Sequence, residues 1–216
     1  MGITDIKIRE TEIDVEAACV DAKSMLEDYP MRGPAAAVYG LRPYIEGKIV
    51  CDLGCGGGDL LWLMGRWAEK AIGVEYDSGR YRKAMEQRGE LDNVTVRCLD
   101  YFSEPIPDAD VYYCWPNDPV TIERLIAALS EQHAPTTLIM GSRLIWIECE
   151  REGKPFTYGN GNVRAPNFLS LLNKHGGEIV SFPYRESSAI RDLHKETERP
   201  EWPDEDTWCL TVLTNV

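Results

Sequence analysis

The chain has no apolar run long enough to cross a membrane, and no basic segment followed by an apolar one at its N-terminus. Both absences lead us to expect a soluble, cytoplasmic protein with no membrane partner. Paired cysteine motifs are missing too. The seven cysteines, Cys19, Cys51, Cys55, Cys98, Cys114, Cys149 and Cys209, are odd in number, and Cys51 and Cys55 stand four apart with no second cluster. Reduced thiols within apolar strands are therefore expected, with neither a disulfide framework nor a metal site. Basic residues are scarce: 23 Lys and Arg against 36 Asp and Glu give a net charge of −13. That charge repels a phosphate backbone, so nucleic acid is not the expected partner. The run Arg80, Arg82, Lys83, Arg88 has helical spacing and reads as a solvated helix face. Of the three histidines, His133, His175 and His194, none lies in a motif. No repeat or low-complexity tract is present.

What remains is a chain of 216 residues, 44% hydrophobic, which is enough for one sizeable α/β domain. Apolar residues at Val15, Ala18, Cys19, Ala22, Met25 and Leu26 follow helical spacing. Tyr29 to Pro34 breaks that pattern, and a second helix is expected from Pro34 to about Ile45. Residues 1–47 are thus assigned to a helical cap and residues 48–216 to one α/β unit. Strands are predicted at 49–53, 71–75, 94–99, 110–115, 136–142, 178–184 and 207–214. Helices are predicted at 58–68, 79–88, 119–131 and 165–175. Such alternation predicts a doubly wound, mostly parallel, seven-stranded sheet. Ligands of such sheets bind beyond the carboxyl ends of the strands, where strand order reverses. Two polar loops, 150–164 and 191–206, are long for a compact domain. The first is favoured as a substrate loop, with Tyr158 in it.

The most informative stretch is Ile49-Val50-Cys51-Asp52-Leu53-Gly54-Cys55-Gly56-Gly57-Gly58. A plain strand-to-helix turn needs one glycine, whereas four in five positions let a ligand approach bare backbone. Asp52 precedes the first glycine by two residues. A carboxylate there repels a pyrophosphate and attracts the α-amino group of a sulfonium amino acid, which favours S-adenosylmethionine over NAD. The same side chain can also hydrogen-bond the turn's own N–H groups. Glu75, ending the next strand, can accept both ribose hydroxyl hydrogens, and Tyr76 can pack along adenine. Asp100, with Tyr101 and Phe102, either meets the adenine amino group or caps a turn. Trp115 and Asn117 close the fourth strand, while Asp118 reads better as the cap of a helix opening at Pro119.

Taken together, these residues resemble the class I S-adenosylmethionine-dependent methyltransferases. Asp52-Leu53-Gly54-Cys55-Gly56-Gly57-Gly58 resembles that family's first motif, Glu75 its ribose acid and Asp100 its adenine-side acid. Trp115-Pro116-Asn117 lies where its fourth motif begins, without the Asn/Asp-Pro-Pro-aromatic form of enzymes that methylate nucleic-acid amino groups. The resemblance implies a final strand, Trp208 to Thr214, inserted antiparallel beside the 136–142 strand. It also implies methyl transfer to an N or O nucleophile of a small molecule or a protein side chain. Asp52, Gly54, Cys55, Gly56, Glu75, Tyr76, Asp100, Tyr101 and Trp115 would bind cofactor. Tyr29, Arg32, Asn117 and Tyr158 would shape the acceptor site, with Trp115 and Asn117 as the catalytic candidates. Two other readings stand beside this one: a nicotinamide-dependent oxidoreductase, and a cofactor-binding subunit without activity.

Overall fold

A computed structural model of the chain describes residues 8–10, 40–86, 91–115, 119–132, 135–154, 157–158, 163–164, 167–182 and 208–216. Its strands are β1 (Ile8–Glu10), β2 (Ile49–Leu53), β3 (Lys70–Glu75), β4 (Val94–Cys98), β5 (Val111–Cys114), β6 (Thr137–Arg143), β7 (Thr157–Tyr158), β8 (Val163–Arg164), β9 (Gly177–Phe182) and β10 (Trp208–Leu213). Its helices are α1 (Asp59–Gly65), α2 (Ser78–Glu86), α3 (Pro119–Gln132), α4 (Leu144–Arg151) and α5 (Phe168–His175). Residues 40–45 are also helical, within the predicted second helix.

The main sheet has the order β1-β9-β10-β6-β5-β2-β3-β4, and β7 pairs with β8 in a separate hairpin. All pairings in the main sheet are parallel except those of β10, which runs antiparallel to both β6 and β9. The expected antiparallel insertion of the last strand is present. The main sheet holds eight strands, not seven, because Ile8–Glu10 adds to the β9 edge. These three residues fall in the segment assigned to a helical cap; residues 11–39, which held the other cap element, lie outside the described residues. Loop 150–164 is also more structured than expected: it begins inside α4 and carries the β7–β8 hairpin. Helix α4 itself went unforeseen. Its residues, LIWIECER, follow β6 with no intervening turn residue.

Alternation along each strand sends side chains to opposite faces, and both faces are covered. One core contains Val50, Ala71, Val111, Tyr113 and Ile139 beneath α1 and the helical residues Leu41 and Ile45. The other contains Cys51, Leu53, Ile72, Tyr112 and Met140 beneath α3, α4 and α5. At the β1 edge, Glu178 accepts hydrogen bonds from Arg9 Nε at 2.8 Å and from the Tyr44 hydroxyl at 2.6 Å, joining three segments distant in sequence.

From β2 the chain crosses to β3 and β4 on one side, then returns to β5 and β6 on the other. The carboxyl ends of β2 and β5 therefore flank the crevice where strand order reverses. Asn93 helps hold the first crossover: its Nδ2 donates to the carbonyls of Gly65 (2.8 Å) and Ala68 (3.0 Å) at the end of α1. Asn93→Ala strands both half-buried carbonyls. We expect it to lower unfolding free energy by about 2 kcal/mol, read from urea denaturation.

Candidate functional site

The glycine turn leaves the end of β2 in a left-handed conformation, with φ of 83° at Gly54 and 58° at Gly56. The N–H groups of Gly54 and Cys55 both donate to Val74 O, at 2.8 and 3.0 Å, which pins the turn to β3. A methyl group built on Gly54 or Gly56 meets nothing within 4 Å, so open space lies against this backbone. Gly58 differs: a methyl there would lie 2.9 Å from Trp62 Nε1 and 3.1 Å from Ala84 Cβ, and its bareness serves helix packing. The Cys55 thiol turns inward, toward Gly73 of β3. Burial pushes that thiol and those of Cys51 and Cys114 well above the ordinary range, so none of the three is poised as a nucleophile.

Two buried carboxylates stand beside the turn, Asp52 and Glu75, each 3% exposed. Asp52 pairs with Gly73 across β2 and β3, so Glu75 sits on the same face, two residues further along. Glu75 is well held: Oε2 accepts from Gly56 N at 3.0 Å and Oε1 from Asp77 N at 2.9 Å. Asp77 Oδ1 in turn accepts from Arg80 N at 2.8 Å in the first turn of α2. Asp52 is less well served. Burial, then the Glu75 charge, push its pKa up to about 7, and no cation among the described residues offsets them. Among the described residues, what this corner lacks is a positive charge.

That deficit has a consequence for the empty protein. The folded pKa of Asp52 lies above the ordinary 3.8, so the native state holds the proton more tightly than the unfolded chain. The contribution of Asp52 to stability is therefore present below about pH 4 and is lost as pH rises through about 7. We expect Asp52→Asn to melt higher than the parent at pH 8 and to lose that advantage toward pH 5. Each kcal/mol recovered should be worth roughly 2–4 °C in a chain of this size, read by thermal denaturation.

At the end of β4, Asp100 is exposed and caps its own turn. Its Oδ1 accepts from Phe102 N at 2.9 Å and its Oδ2 from the Ser103 hydroxyl at 2.8 Å. These bonds hold its carboxyl below the usual carboxylate range. The Tyr101 and Phe102 rings lie 4.5 Å apart, and the Arg124 guanidinium sits 4.1 Å over Phe102. An open groove of about 760 Å³ runs between this loop and α3, beside Tyr101 and away from the glycine turn. Tyr76 is 75% exposed at the end of β3.

Beyond β5, Trp115 is half-buried, edge-on to Trp146 at 6.3 Å, and Trp146 stacks on Phe168 at 6.3 Å. This ladder fixes Trp115 to α4 and α5. Gly141 of β6 makes room for it: a methyl there would lie 2.2 Å from Trp115 Cε3 and 2.9 Å from the Tyr113 hydroxyl. Sequence reasoning passed over Tyr113 and Gly141. Of the expected acceptor residues, Tyr158 belongs to β7. Tyr29, Arg32 and Asn117 lie outside the described residues, as do His133 and His194. His175, in the last turn of α5, lies with its Nδ1 3.0 Å from Asn215 O, a structural role.

No protein-family model matches the chain, and no curated protein matches it. Solved structures of similar fold do. The N-methyltransferase NodS from Bradyrhizobium japonicum aligns over 88% of this chain and 99% of its own, with TM-score 0.57 and 14% identity. A Geobacter sulfurreducens S-adenosylmethionine-dependent methyltransferase, solved with S-adenosyl-L-homocysteine, aligns over 90% and 97%, with TM-score 0.52 and 16% identity. A dimethyladenosine transferase from Plasmodium falciparum aligns over 84% of this chain and 61% of its own, with TM-score 0.52 and 16% identity. The chain therefore has the Rossmann-like fold of class I methyltransferases. A putative RNA methyltransferase from Pyrococcus horikoshii also aligns, over 94% of this chain and 97% of its own, with TM-score 0.57 and 16% identity, so the fold lends no support to excluding a nucleic-acid acceptor. Among the described residues no helix is long and apolar enough to cross a membrane.

Proposed function

We propose that this chain is an S-adenosylmethionine-dependent methyltransferase. One observation carries the reading: two buried acids, Asp52 and Glu75, share one face beside a turn whose backbone is open to a ligand. A dinucleotide would bring a pyrophosphate to this negative corner, whereas a sulfonium amino acid brings an ammonium. This favours the present reading over the nicotinamide alternative.

Each residue then has a task. Asp52 binds the ammonium and is drawn to its charged form by it. Glu75 holds the turn with one lone pair of each oxygen and retains the others for ribose hydroxyls. Asp100 and Tyr101 border the adenine end, and the exposed Tyr76 ring can fold over it. Trp115 marks the transfer end, where it walls off water. The cofactor supplies an electrophilic methyl group already activated at sulfur, so the chain's contribution is proximity, orientation and dryness. The acceptor is an N or O nucleophile of a small molecule or a protein side chain, delivered uncharged.

Calorimetry with S-adenosylhomocysteine tests the proposal. The parent protein should bind it, and Glu75→Ala should weaken binding at least about ten-fold through loss of the ribose contacts. Affinity should rise from pH 6 to pH 8 as Asp52 ionises, with a proton released on binding at the lower pH. No binding at millimolar ligand, saturable binding of NADH instead, or an unchanged affinity in Glu75→Ala would each sink it. Cofactor binding without methyl transfer to any acceptor would point to the non-catalytic reading.

A further inference from the structure

Tyr112 and Tyr113 are neighbours on β5 and point to opposite faces. The Tyr112 hydroxyl is fully used: it donates to Pro107 O at 3.0 Å and accepts from Ala109 N at 3.1 Å. The Tyr113 hydroxyl is buried and has no hydrogen-bond partner. A phenylalanine would fill the same space without that penalty, so the oxygen itself calls for an explanation.

Its position supplies one. Tyr113 pairs with Asp52 on one side and with Ile139 on the other, so its side chain leaves the sheet on the Asp52–Glu75 face. The hydroxyl reaches the neighbourhood of Gly141, two residues beyond Ile139. The phenol thus leans along β5 toward the carboxyl ends of the strands, where the ligand binds. The half-buried Trp115 ring meets the same point. Burial keeps the phenol protonated across the neutral range, so it remains a donor.

The ligand proposed above carries two opposite charges at its amino-acid end. Asp52 serves the ammonium, but the same acids repel the neighbouring carboxylate unless a donor faces it. Among the described buried side chains on this face, Tyr113 offers a donor on the β5 side of the turn. Trp62 Nε1, also buried without a partner, faces Gly58 and Ala84 on the α2 side instead. We infer that the Tyr113 hydroxyl donates a hydrogen bond to the α-carboxylate of the bound sulfonium amino acid. This rests on the cofactor reading, and the experiment separates the two.

Three probes are titrated into the parent protein and into Tyr113→Phe: S-adenosylhomocysteine, its decarboxylated analogue, which keeps the amine, and 5′-methylthioadenosine, which lacks the amino-acid tail. We expect Tyr113→Phe to weaken S-adenosylhomocysteine about ten-fold. The other two probes should bind as before, and the empty variant should melt no lower than the parent. Equal losses on all three probes, an unchanged affinity for S-adenosylhomocysteine, or a lowered melting temperature would overturn the assignment. If the parent binds none of the three, it is the cofactor reading that fails.

Discussion

Two carboxylates buried side by side, with no cation between them among the described residues, are an unfavourable arrangement, and this corner is organised around it. Glu75 is reconciled to burial by two backbone N–H groups, one from the glycine turn and one from the start of the next helix. Those bonds also fix the turn's shape, so one side chain sets both the negative charge and the path of the backbone around it. Asp52 has no such relief and sits near the midpoint of its titration at neutral pH. A like-charge pair of this kind weakens the empty protein and strengthens the complex with a cationic ligand. Stability and binding then pull against one another at a single residue, as is common where a site must accept charge.

The sheet makes this possible. Parallel strands that all end at one edge deliver Tyr113, Asp52 and Glu75 from three adjacent strands, on one face and within two residues of the same level. Helices cover both faces, which keeps the acids dry. The reversal between β2 and β5 leaves a gap that no crossover fills. Further along the edge, Trp115 is held by Trp146, which stacks on Phe168, so its position is set from α4 and α5 and not from the glycine turn. The glycine turn with its acids and the wall around Trp115 thus rest on separate parts of the chain. The first is locally encoded, and the second draws on distant segments.

The division shows in what could be read from the chain. The glycine turn, Asp52 and Glu75 were legible because strand, turn and following strand are contiguous and the periodicity changes sharply at each boundary. Asp100 was legible as an acid in the right place. Its capping role became visible only in its bonds to Phe102 and Ser103. Helix α4 escaped notice because its residues continue β6 without a cap or a glycine, leaving no punctuation between strand and helix. Strand β1 escaped because three residues carry no periodicity, and its partner β9 lies near the other end of the chain.

Composition, alternation and one glycine-rich turn were enough to determine an α/β sheet and the acids beside the turn, because those are properties of short contiguous segments; the antiparallel last strand came only with the family resemblance. Tertiary structure alone decided that Asp52 and Glu75 find no counter-charge among the described residues, that the Tyr113 hydroxyl is stranded on the same face, and that Gly141 yields its space to Trp115. Each of these is a contact across strands whose register no local pattern records. Burial, which sets their electrostatic cost, exists only once the strands have assembled.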